Sequence, residues 1–127
     1  MTQNVSAQDA RTAPDSNPVS WQAQDDVLLI TINHPPVNAL GHAVRVGLIA
    51  AIDALEADGC VVGAVLTGGG RAFVAGADIT EFGKPIAEPG LNEVIDRIEG
   101  ASKPVVAAVN GFALGGGLEL TLGCHAR

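Results

Sequence analysis

Two short, nearly unbroken apolar runs set the architecture: "VVGAVLTG" at 61–68, and "VVAAV" within "SKPVVAAVNG" at 102–111, where Pro104 stands at the start. Such runs suit strands buried on both faces, as in a parallel sheet covered by helices. The segments before and between them change period. Val44, Leu48, Ile52 and Leu55 recur at helical spacing and predict a helix from Ala43 to about "ADG" at 57–59. Leu91, Val94, Ile95 and Ile98 predict a second helix, closed by Gly100. Ahead of both, "VSWQAQ" and "DVLLITIN" flank acidic Asp25 and Asp26 and read as a hairpin or a pair of adjacent strands. "HPPVNALG" ends that region, because Pro35 and Pro36 cannot continue a ladder. After the last apolar run, a glycine-rich turn leads into "LELTLGCHA", expected to open a helix. Strand, helix, strand, helix, strand and a turn into a helix is an α/β layout with parallel crossovers. No internal repeat is visible in the sequence.

Composition narrows the function classes. The 127 residues make at most one domain of ordinary size, long enough to bury a core. With 47% apolar and 17% charged residues, a compact globular protein is expected. Residues 1–18 depart from this: they are polar, contain Pro14 and Pro18, and show no apolar periodicity. They are expected to be a disordered leader, which leaves 19–127 as the folded part. Aromatics at 3% offer little for base stacking, and a net charge of -7 opposes phosphate neutralisation, so nucleic acid is not an expected partner. A small anionic ligand held by backbone amides stays open. No apolar run reaches the roughly 20 residues of a membrane helix, and no secretory signal opens the chain. Cys60 and Cys124 lack CxxC spacing, which fits reduced thiols in the cytoplasm. His34, His42 and His125 share no ligand spacing, so no metal site is expected.

The chemistry concentrates in two glycine-rich segments, 68–77 and 111–117, which the layout puts beyond the carboxyl ends of strands, where ligands of α/β folds bind. Gly115, Gly116 and Gly117 run together before a helix whose first amides would be unpaired and biased positive by the dipole. One such amide, with a second from "AFVAGADI" at 72–79, could stabilise the oxyanion of an enolate or a tetrahedral intermediate. Glu119 would then sit within a turn of the donor, able to move a proton or orient water. Other readings stay open from the residues alone. The glycines could form a phosphate cradle or a plain tight turn, although neither segment ends like a P-loop or fits GxGxxG. Glu119 could face solvent as a first-turn acid, and Asp78 could simply cap a short helix "ITEF". Arg71 and Lys84 are expected in solvent, and Cys124 beside His125 is no dyad, since helix neighbours point apart.

Taken together, "HPPVNALG", "RAFVAGADITEF" (71–82) and "SKPVVAAVNGFALGGGLELTLGCH" (102–125) closely resemble the crotonase, or enoyl-CoA hydratase/isomerase, superfamily. The resemblance runs from about Trp21 to Arg127, and its details are most similar to the hydratase portion of multifunctional β-oxidation enzymes. It implies a spiral of ββα units. It also implies that the amides of Ala77 and Gly116 form an oxyanion hole for an acyl-CoA thioester. Residues Ala77, Asp78 and Ile79 would line the path of the CoA moiety, and Glu119 matches the first of two glutamates that hold and activate water. Many hydratases carry a basic residue after "ADI", where this chain has Thr80. The second glutamate, the C-terminal helices and the subunit contacts of the family lie beyond Arg127.

These implications give the expectations. The chain is an α/β, crotonase-like N-terminal piece, truncated before the C-terminal helices, of an enoyl-CoA hydratase that adds water across a 2,3 double bond in fatty acid β-oxidation. Its full-length product would be a homo-oligomer. CoA enters only as part of the substrate, no cofactor site is visible, and NAD would matter only if a dehydrogenase domain follows. Two alternatives are a catalytically inactive fragment serving as an acyl-CoA or protein-binding module, and a Δ3,Δ2-enoyl-CoA isomerase using the same hole.

Overall fold

The computed structural model describes residues 17–127. The leader expected over 1–18 therefore lies outside the described residues, save for Asn17 and Pro18. Pro18 already joins the sheet, its carbonyl accepting from the Asn33 amide at 2.7 Å.

Three ββα units follow one another. The first is β1 (Val19–Gln24), β2 (Val27–Ile32) and α1 (His42–Ala57). The second is β3 (Gly63–Gly68), β4 (Ala72–Ala75), a single 3-10 turn (Ile79–Glu81) and α2 (Leu91–Glu99). The third is β5 (Val105–Ala108), β6 (Phe112–Leu114) and α3 (Gly116–Gly123). The repeat that no residue pattern reveals is thus present in the order of elements. Sheet order is β1-β2-β3-β5, with β1 antiparallel to β2 and the remaining pairs parallel. The second strands of the last two units, β4 and β6, pair in parallel as a separate small sheet. This is the α/β spiral of ββα units that the resemblance implies.

The helices form where the periodicity places them. Val44, Leu48, Ile52 and Leu55 of α1 are all buried. Each such side chain gains roughly 1.5–3 kcal/mol on burial, more than the spread of helix propensities among ordinary residues. Packing therefore holds α1 despite its β-branched Val44, Val46, Ile49 and Ile52. Asp25 and Asp26 form the two-residue loop between β1 and β2, Asp25 in the left-handed region that Asp tolerates.

One expectation needs correction. The run at 102–111 is not buried on both faces: in β5, Val105 and Ala107 are buried, while Val106 and Ala108 are exposed. Phe112, Leu114, Leu118 and Leu122 are also more than half exposed or close to it, so the third unit carries a bare apolar face. The apolar run reports composition, and only the neighbours present decide how much of it is covered. Among the described residues, no helix is long and apolar enough to cross a membrane.

Candidate active site

Because β4 and β6 are parallel and Ala75 pairs with Leu114, the two strands release their chains side by side. Gly76 and Gly115 are the residues that follow that last pair, each the first beyond its strand. Both glycines turn with positive φ, 81° at Gly76 and 56° at Gly115, a region that side chains with a Cβ resist. A Cβ on Gly115 would lie 3.7 Å from the Gly76 Cα, so the two turns touch.

The direction of the next amides follows from peptide geometry. In a trans peptide, C=O and N–H point opposite ways. The Gly76 carbonyl accepts from the Leu40 amide at 3.0 Å, so the Ala77 N–H of the same peptide points away from Leu40. The Gly115 carbonyl accepts from the Glu119 amide at 3.1 Å, the first bond of α3, so the Gly116 N–H points out of the helix N-terminus. Neither N–H donates a hydrogen bond among the described residues. Two neighbouring turns therefore offer unused donors, one of them reinforced by the α3 dipole.

The surrounding framework is polar and specific. Asn38 is buried with φ 58° and donates from Nδ2 to the carbonyls of Gly69, Ala72 and Phe73 at 2.9–3.1 Å. Its Oδ1 accepts from the His34 amide at 2.7 Å, and the Ala75 amide donates to the Val37 carbonyl at 3.0 Å. The proline-rich loop is thereby fastened along β4, which is what brings Leu40 to Gly76. Asn110 does the same behind β6, accepting from the Gly68 amide at 3.0 Å and donating to the Gly68 carbonyl at 2.7 Å.

Glu81 and Arg45 brace the other side. Glu81 accepts the His42 amide at 2.7 Å, supplying from a distance the cap that Gly41 cannot give α1. That hydrogen bond, aided by Arg45, holds the Glu81 carboxyl below the usual carboxylate range in spite of desolvation. Arg45, 6% exposed, donates to Glu81 Oε1, to the Leu40 and Ala87 carbonyls, and through Nε to Pro89. Among these groups lies a pocket of about 200 Å³, with Arg45, Asp78 and Glu81 in its lining beside apolar Leu40, Ala77, Phe82, Ile86 and Leu91. A Cβ on Gly116 would approach Leu40 and Leu91 to 3.1 Å, so the pocket adjoins the second turn as well as the first.

The sequence candidates fall as follows. Ala77 and Gly116 each follow one of the two touching glycines, and both border Leu40 and Leu91. Asp78 takes the capping role, its Oδ1 accepting from the Thr80 amide and hydroxyl; the hydroxyl foremost holds its carboxyl below the ordinary range. Ile79 is 75% exposed on the same turn. Glu119 is exposed one turn into α3, three residues beyond Gly116 and hence on the same side of the helix. Its carboxylate makes no hydrogen bond or ion pair among the described residues. Arg71 and Lys84 are exposed, as expected. Asn38, Arg45 and Glu81 were not singled out from the sequence. The signal for Asn38 is an Asn tolerant of positive φ straight after "PPV", and for Arg45 a cation beside the apolar stripe of α1.

Comparison with known proteins gives a consistent result. Residues 22–127 match the family model described as enoyl-CoA hydratase/isomerase. The chain is 48% identical over 101 residues to a peroxisomal bifunctional enzyme of Danio rerio, covering 80% of this chain and 14% of that protein. It is 40% identical over 119 residues to a probable enoyl-CoA hydratase of Bacillus subtilis, covering 87% of this chain and 46% of that one. The crystal structure of a probable enoyl-CoA hydratase/isomerase from Mycobacterium abscessus superposes with a TM-score of 0.75 at 41% identity, covering 87% of this chain and 46% of the other. The chain thus spans less than half the length of each of these three relatives. With a family match that begins in β1 and runs through both paired turns to Arg127, the chain belongs to the enoyl-CoA hydratase/isomerase family.

Proposed function

We propose that residues 19–127 are the N-terminal part of a hydratase that adds water across the 2,3 double bond of an enoyl-CoA in fatty acid β-oxidation. The observation that carries this reading is the pair of donor peptides at the ends of β4 and β6, each held from behind through its carbonyl. The thioester oxygen accepts from the Ala77 and Gly116 amides, which draws electron density toward it and leaves C3 electrophilic. Glu119 takes a proton from water as the water oxygen bonds to C3. The electron pair of the double bond moves into an enolate whose charge rests on the same oxygen, and a proton then reaches C2, closing the addition. A second acid, supplied outside these residues, shares that proton traffic. Asp78 and Ile79 border the CoA moiety, and the acyl chain enters the pocket beside Leu40, Phe82, Ile86 and Leu91.

The reaction needs no cofactor beyond the CoA of the substrate. The bare apolar face at Val106, Phe112, Leu114, Leu118 and Leu122 suits cover by further chain and by neighbouring subunits of a homo-oligomer in the cytoplasm. That same face favours a second reading for the 127 residues taken alone, an acyl-CoA or protein-binding module without turnover. In the full-length protein, Glu119→Gln keeps shape and removes the base, and hydration should fall by at least ~100-fold. Near-normal turnover in that variant would refute the role of Glu119.

A further inference from the structure

We infer that Arg45 and Glu81 are positioning residues, through which helix α1 sets both the Gly76–Ala77 peptide and the wall of the acyl pocket. The inference rests on the hydratase reading and extends it to two residues at the pocket lining that act through the backbone they hold. Arg45 sits in the first turn of α1 and is almost wholly buried, a costly place for a guanidinium unless its donors are used. They are used on three segments at once. Nη1 donates to the Leu40 carbonyl at 2.8 Å, and the Leu40 amide in turn holds the Gly76 carbonyl at 3.0 Å. The guanidinium is therefore one residue removed from the peptide that carries the Ala77 N–H. Nη1 also meets Glu81 at 3.1 Å, at the end of the turn that follows Ala77.

Nη2 and Nε donate to Ala87 at 3.1 Å and Pro89 at 2.7 Å, pinning the far end of the strap 82–90, whose Phe82 and Ile86 line the pocket while remaining largely exposed. This strap has no regular structure of its own, so side-chain anchors fix its path. Glu81 completes the clamp. It binds the first amide of α1 and the Arg45 head together, and the α1 N-terminus is pressed close: a Cβ on Gly41 would come within 2.8 Å of Asp78 Oδ2. The pair thus reads the position of α1 into the oxyanion turn and the pocket wall together. Geometry at an oxyanion donor tolerates little error, since displacement by an ångström can cost about 100-fold in rate.

The test uses the full-length protein with Arg45→Met, which keeps an apolar stem and removes every donor, and Arg45→Lys, which restores charge with fewer, unforked donors. Hydration of a four-carbon 2-enoyl-CoA is followed together with amide hydrogen exchange. In Arg45→Met, kcat should fall about 10- to 100-fold while KM changes much less, and Arg45→Lys should recover part of the loss. Exchange over 76–90 should speed up by at least ~10-fold, with β1, β2 and β3 unchanged. Wild-type kcat and wild-type exchange in Arg45→Met would overturn the inference. So would exchange that rises uniformly over the whole chain with kcat per folded molecule unaltered, the mark of a merely structural residue. If the unaltered protein hydrates no enoyl-CoA, the hydratase reading fails and the catalytic half of the inference falls with it. Exchange over the strap then still decides whether the guanidinium holds it.

Discussion

The Gly76–Ala77 and Gly115–Gly116 peptides present the same group, an outward N–H without a partner, yet they are held by opposite means. Gly115–Gly116 is anchored locally: its carbonyl accepts the Glu119 amide four residues on, as any helix start would. Gly76–Ala77 is anchored from another ββα unit, through the Leu40 amide, the Asn38 side chain behind it and the Arg45–Glu81 pair beside it. A helix terminus therefore supplies one donor from its own sequence. The other depends on a network spread over some fifty positions of the chain, from His34 to Pro89. The comparison makes the first unit, which contributes no donor itself, the part that aims one.

Three experiments would break or sharpen this contrast. The largest effect is expected on the local side from Gly117→Ala. A Cβ there would sit 2.1 Å from the Val74 carbonyl oxygen and 2.8 Å from its carbon, so α3 would have to move off β4. Backbone cannot yield as a flexible side chain does, and the loss should be at least about 3 kcal/mol by urea denaturation of the full-length protein. A shift within 0.5 kcal/mol, about the effect of an ordinary surface change, would show that α3 is not set by this approach. On the remote side, Asn38→Ala removes a donor from three carbonyls and an acceptor from one amide, and places alanine at φ 58°. A loss of roughly 2–3 kcal/mol is expected, with hydration falling further than stability alone explains. Unchanged hydration would detach the proline-rich loop from the aiming of Ala77.

The smallest effect is the acid dependence of the remote clamp. Glu81 is held below its ordinary value of 4.5, first by the His42 amide, so folding favours its carboxylate. Its contribution is present above 4.5 and is lost as pH falls through the lowered folded value. Glu81→Gln has no such charge to lose, so its stability should decline less steeply than wild type as pH falls below 4.5. Asp78 and Glu56, lowered by Thr80 and Ser102 respectively, keep a slope in both proteins. Superimposable pH curves would remove Glu81 from the clamp.

The same contrast explains what could be read from the sequence. Helix α1 was legible because Val44, Leu48, Ile52 and Leu55 repeat one energetic preference at one spacing. The β1–β2 hairpin and the meeting of two glycine segments beyond strand ends were legible for similar reasons, as was the capping by Asp78, a contact two residues long. The three residues of β6 lie inside "GFALGGG" and are too few for any period to register. The full burial expected of 102–111 failed because alternation along β5 depends on what covers each face. Arg45 escaped notice because its acceptors lie at 40, 81, 87 and 89, and only the fold gathers them. Asn38 did so for the same reason, with acceptors at 69, 72 and 73.

The most direct test of the central claim is a crystal structure of the full-length protein with a saturated acyl-CoA, which can bind but not react. The two-donor arrangement predicts the thioester oxygen about 2.7–3.1 Å from both the Ala77 and Gly116 nitrogens, with the Glu119 carboxylate facing C3 of the acyl chain. An acyl-CoA bound with its carbonyl oxygen on neither amide, or on one alone with Glu119 turned to solvent, would contradict it.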